Sequence, residues 1–172
     1  MITPGIITTA VVDAGPLFTV LTLDYVRHYH DDSALTKAGI PLQPEVQNSY
    51  LRLFKDIQTL LTTSHVVGEL QGLQNSRLRL RDARLKQFWR NSMDYLKTKN
   101  LDERLICLLG MHERDRSREG VCIVGPSDMG LIELALQEGC VLLTDDEKTL
   151  APLAWTHSVD CKLVRKLVEP GR

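Results

Sequence analysis

Five acidic residues sit where an apolar run meets a turn or a helix start, and such places can hold chemistry. Asp13 interrupts the run in VVDAGPL (11–17), and Asp145 and Asp146 end the one in CVLLTDDEKTL (140–150). Asp128 opens a nearly all-apolar helix-like stretch, and Glu69 lies in the first turns of SHVVGEL (64–70). In an open parallel sheet, ligands bind in the crevice outside the carboxyl ends of the strands, the edge where the following helices begin. Carboxylates delivered there by separate elements repel one another and resist ionisation unless a cation compensates them. Hard oxygen donors select Mg²⁺ or Mn²⁺ rather than zinc. Taken singly, each residue has a simpler explanation: a helix-start aspartate is a cap or dipole partner, Asp145-Asp146 a solvated turn, and Glu69 a surface charge. Their conjunction makes an acidic divalent-metal site the leading expectation.

The elements that must position these groups alternate along the chain. Short β-branched or leucine-rich runs bounded by turn residues read as strands near 8–12, 60–63, 121–125, 140–144 and 161–164. Between them, 17–30 is helix-like, Asp31-Asp32-Ser33 is a polar turn, and Pro44 opens a helix through about Ile57. Ser64 is the expected N-cap of the helix carrying Glu69. Leu78, Leu85, Trp89, Met93 and Leu96 share one face of a long helix over 77–99, and 101–111 reads as a further helix. A helix over 127–139 ends on Gly139, and a short one lies around 148–154. Strand–helix alternation implies an α/β fold with a mainly parallel central sheet of about five strands.

At 172 residues the chain reads as a single domain, 1–172, with a core of ordinary size. A net charge of −1 gives no global attraction to nucleic acid, so any such binding needs a local basic patch. No apolar stretch is long enough to span a bilayer, and MITPGIITTAVV lacks a basic region before its apolar part. The expectation is a cytoplasmic protein without membrane attachment. Cys107, Cys122, Cys140 and Cys161 show no zinc spacing and read as free thiols in a reducing compartment.

VVDAGPL, SHVVGEL, GPSDMGLIELA and LLTDDEKTL, in that order, resemble the four motifs of the PIN-domain ribonucleases. The resemblance runs from about residue 8 to residue 165, and its specificity lies in the ordered set rather than in any one motif. It implies a three-layer α/β/α sandwich and a Mg²⁺- or Mn²⁺-dependent endoribonuclease that hydrolyses RNA to 5′-phosphate and 3′-hydroxyl ends. Asp13, Glu69, Asp128 and Asp146 take the places of the family's catalytic and metal-binding carboxylates. Asp13 and Asp128 would be the main ligands, with Glu69 and Asp146 either ligating directly or orienting a water at the metal. Asp146 is chosen over Asp145 because the family pattern is Thr-x-Asp and neighbouring side chains on an extended segment point oppositely. Asp145 and Thr144 become supporting groups behind the ligands. The family includes bacterial toxins, so an antitoxin protein partner and a homodimer are further implications. The helical segment around 77–118 departs from a minimal member. A non-catalytic PIN-fold module, binding RNA or protein, is the alternative.

Arg77, Arg81 and Arg84 fall at i, i+4 and i+7 of the expected long helix, where they would contact RNA phosphates or form a solvated face. HERDRSRE (112–119) alternates in sign and reads as an exposed turn. His28 and His30 point apart on a helix and do not chelate together. The absence of G-x-S-x-G, Walker A and G-x-G-x-x-G patterns argues against serine hydrolases, P-loop NTPases and dinucleotide enzymes. An aspartyl-nucleophile phosphohydrolase ranks low, because Gly15 occupies the second place of the Asp-x-Asp such an enzyme needs.

Overall fold

Thr9 to Val12 are extended because Ala10, Val11 and Val12 are completely buried, flanked by parallel strands on either side. The computed structural model describes residues 7–41, 43–106 and 125–169. In it β1 (Thr9–Val12) pairs with β2 (Thr59–Thr63) on one side and β4 (Val141–Thr144) on the other. β3 (Asp102–Arg104) and β5 (Cys161–Leu163) lie outermost, giving the order β3-β2-β1-β4-β5 with every pairing parallel. Strands covered on both faces carry near-continuous apolar runs, as TAVV and VLLT do.

The helices are α1 (Ala14–Tyr29), α2 (Ser33–Ala38), α3 (Pro44–Asp56), α4 (Ser64–Leu73), α5 (Asp82–Thr98), α6 (Pro126–Glu138), α7 (Leu150–Thr156) and α8 (Val164–Val168). α6 packs on β1, β2 and β4, while α1 packs on β4 and gathers α2, α3, α4 and α5 around it. The described residues therefore form an α/β/α sandwich about a five-stranded parallel sheet. The chain fills one half of the sheet with β1, β2 and β3 and the other with β4 and β5. The strand order therefore reverses between β1 and β4, the place where such sheets open a ligand crevice.

Several boundaries differ from those expected. The long helix over 77–99 is broken: Gln74–Leu78 is a π-helical turn, Arg79 is left-handed at φ 52°, and α5 starts only at Asp82. Leu78 and Leu80 are both buried, a two-residue period that one helical face cannot supply. Met93, assigned to the buried face, is 56% exposed. Asp102–Arg104, expected in a helix, forms the edge strand β3, where charged side chains suit an exposed rim. Asp31 and Asp32 lie outside any helix as expected of a turn, but Ser33 already starts α2, and Thr63 rather than Ser64 is the N-cap of α4. The expected strand over 121–125 and turn over 112–119 lie mainly or wholly outside the described residues, as do Cys107 and Cys122. Cys140 and Cys161 are free thiols. No helix among the described residues is long and apolar enough to cross a membrane.

α5 is held to α1 by aromatic packing. Phe88 is 1% exposed and meets Tyr25 edge-on at 5.6 Å and 69°. Phe88→Ala is expected to cost about 3–5 kcal/mol, the usual range for a buried phenylalanine. Urea unfolding measures it, and a loss under about 1 kcal/mol would mean that α5 is not an integral part of the core.

Candidate metal centre

Asp13 is fixed by the reversal of strand order. Its N–H donates to the carbonyl of Leu143 at 3.0 Å, continuing the β1–β4 pairing one residue past the strand. Its Oδ1 accepts from the Ala14 N–H at 2.6 Å, and its Oδ2 accepts from the Thr144 hydroxyl at 2.7 Å. Thr144 Oγ1 in turn accepts from the Asp146 N–H at 3.0 Å. One buried threonine at the end of β4 thus sets both the Asp13 carboxylate and the turn that carries Asp146. Asp13 also begins α1 as its N-cap, so its structural and site positions coincide.

The two neighbouring aspartates part company. Asp146 accepts from the Lys148 and Thr149 N–H groups through Oδ1 and acts electrostatically on Asp13 and Asp128. Asp145 faces elsewhere: its Oδ2 accepts from the Tyr50 hydroxyl at 3.0 Å and its Oδ1 from the Arg165 N–H at 3.0 Å. Asp145 therefore ties α3, the turn after β4 and α8 together. No local pattern in the sequence marks Tyr50 for this role, since its partner lies 95 residues away.

Asp128 and Glu69 complete the acidic edge from the two flanking helices. Asp128 lies in the first turn of α6 and is partly buried, whereas Glu69 projects from the exposed side of α4. Burial raises the Asp13 carboxyl above its ordinary range, the Thr144 and Ala14 hydrogen bonds draw it back, and Glu69 and Asp146 push it up again. Asp128 is pushed up to about 6, by burial first and then by Asp13, Asp146 and Glu69. Four carboxylates from four places in the sequence thus share one electrostatic field. They are not drawn together as finished ligands: among the described residues, no group of three or more His, Cys, Asp or Glu side chains is placed to hold a metal ion. The donor chemistry fits a hard divalent cation, since all-oxygen, mutually repelling ligands gain most from one. Thr63, ending β2 at the same sheet edge, has a buried hydroxyl with no hydrogen-bond partner among the described residues, a feature that no motif signals.

The three arginines do not form the expected stripe. Arg77 sits in the π-helical turn and lines a small cavity with Tyr50, Asp145 and Arg165. Arg81 occupies the extended N-cap of α5. Arg84 is bonded to Asp31 and approaches Ser33 at 3.3 Å, so it fastens α5 to the turn after α1. The break at Arg79 removes the single helix that would have aligned them.

No protein-family model, curated protein or solved structure matches the chain.

The raised Asp128 carboxyl has a defined effect on stability. Between its ordinary 3.8 and about 6 the folded chain keeps a proton that the unfolded chain has lost, so rising pH through that window disfavours folding. Without divalent ions, Asp128→Asn is expected to unfold at higher urea than wild type above that window, and Mn²⁺ is expected to stabilise wild type more than the variant. A lower midpoint for the ion-free variant at neutral pH would contradict the repulsion described.

Proposed function

We propose that this chain is a Mg²⁺- or Mn²⁺-dependent endoribonuclease of the PIN type. The observation that carries the reading is the convergence of Asp13, Glu69, Asp128 and Asp146 on one edge of the sheet. Two of them, Asp13 and Asp146, flank the reversal of strand order. A bound divalent ion supplies positive charge for the scissile phosphate and lowers the pKa of an attacking water.

The chain's own residues prepare for that ion. Asp13 and Asp128 would hold it, with Glu69 and Asp146 beside them. Thr144 and the Ala14 N–H keep the Asp13 carboxylate from turning away, which limits the reorganisation needed on binding. Asp128, titrating near 6, must release its proton to become a ligand, so metal loading and proton release are linked. Glu69, the most exposed of the four, has the greatest freedom to close the set. The toxin role belongs to this same proposal, with an antitoxin protein and a second copy of the chain as partners.

A second reading is a PIN-fold module that binds RNA or protein without cutting. It is favoured by the absence, among the described residues, of an assembled ligand group. The two readings separate on one measurement. With Mn²⁺, purified protein is expected to cleave single-stranded RNA, and Asp13→Asn to slow cleavage at least about a hundredfold, as loss of a few kcal/mol of transition-state stabilisation requires. Equal cleavage by wild type and variant would point to a contaminant and sink the assignment. No cleavage of any RNA, with no divalent ion bound at the four carboxylates, would favour the binding module instead.

A further inference from the structure

The edge of the sheet opposite the carboxylates holds a second candidate site. α1, α3 and α5 all finish there: α3 and α5 run into the starts of β2 and β3, and the Leu60 N–H donates to the Lys99 carbonyl at 3.1 Å. Arg27, in the last turn of α1, is roughly 20 Å along that helix from Asp13 at 1.5 Å per residue. The three helix ends enclose a groove of about 430 Å³ lined in part by Asp24, Arg27, Arg52, Lys55, Tyr95 and Lys99.

Two of the charged groups are already engaged. Lys99 Nζ donates to the carbonyls of Lys55 and Ile57 at 2.9 and 3.0 Å, closing the end of α3, and lies 5.9 Å from the Tyr95 ring centre. Asp24 accepts from the Asn91 amide at 2.7 Å. Arg27, Arg52 and Lys55 are different. All three are exposed, and among the described residues none forms an ion pair with a carboxylate. Helix dipoles account for Arg27 and Lys55 in the last turns of their helices, but not for Arg52 or for the concavity between them. In a chain of net charge −1, four cations here face a single groove carboxylate, Asp24, which leaves the groove locally basic.

We propose that this groove binds the phosphodiester backbone of a single RNA strand, at a position remote from the carboxylate edge. Arginine suits phosphate because its planar fork can donate two parallel hydrogen bonds. The free cations stand on two helices along an open groove and do not surround one buried point, an arrangement that serves successive phosphates better than one enclosed phosphate. Tyr95 also lines the groove, but it packs on the core with Lys99 over its ring, so the cations carry the affinity. That the strand is RNA rests on the ribonuclease reading; the affinity of the groove for a phosphate backbone does not.

The test is fluorescence anisotropy of a labelled single-stranded RNA in EDTA, so that binding is read without metal-dependent cleavage. Charge reversal in R27E/R52E/K55E is expected to weaken binding at least about tenfold. It is also expected to reduce the slope of log K against log salt by about 0.7 for each phosphate no longer neutralised on a single strand. The neutral R27Q/R52Q/K55Q variant, with a urea midpoint near wild type, is expected to show a smaller loss in the same direction. Wild-type affinity in both variants overturns the proposal. Displacement of the RNA by inorganic triphosphate at equal phosphate concentration overturns it in favour of a small-anion site. If wild type shows no Mn²⁺-dependent cleavage but the variants still lose binding, the ribonuclease reading fails and the groove stands. If cleavage is present and the variants bind as wild type, the groove alone fails.

Discussion

The parallel pairing of β1 with β4 is the contact on which the rest of the arrangement depends. The chain fills one side of the sheet as far as β3 and then returns to the centre, placing Val141–Thr144 beside Ala10–Val12. Helices leaving the two central strands must diverge to opposite faces, and the space between their starts cannot be filled by either. Asp13 and Asp146 border that space because each immediately follows a strand, or nearly so. Their separation in sequence is large, but the register Val12–Leu143 makes them neighbours.

Burying charge at such a place is unfavourable unless something offsets it. Thr144 offers the Asp13 carboxylate a hydrogen bond, and the Ala14 N–H offers a second. Neither cancels the repulsion from the other acids, so the Asp13 and Asp128 carboxyls stay above their ordinary range. At the far edge a groove around the ends of α1 and α3 gathers more cations than the one carboxylate, Asp24, that lines it. The sandwich thus carries an acidic cluster where β1 and β4 end and a basic groove at the ends of α1, α3 and α5, although the whole chain is nearly neutral.

What could be read from the residues follows this same division. Buried strands declare themselves locally, because TAVV and LLTT are too apolar and too β-branched to be anything else between turn signals. The acidic edge was legible for a related reason: Asp13 and Asp146 closely follow such runs, and Asp128 and Glu69 lie in the first turns of helices. β3 was not legible, since Asp102-Glu103-Arg104 has no strand propensity and is extended only because β2 offers a free edge. The break at Arg79 is present in the alternation of SRLRLR but is outweighed by the helical spacing further on. The basic groove leaves no linear trace. Its cations come from α1, α3 and the end of α5, and meet only because the three helices stop at one level.

Asp145 and Asp146 show how narrowly these roles are assigned. They are chemically identical and adjacent, yet one braces α3 and α8 through Tyr50 and the Arg165 N–H while the other turns toward the acidic edge. The difference comes only from which side of the backbone each residue leaves. Inserting one residue between Thr144 and this pair would put Asp145 in the place now held by Asp146 without altering the chemistry of either side chain. The turn after β4 is therefore a reading frame in miniature, one whose identity lies in phase rather than in sequence content.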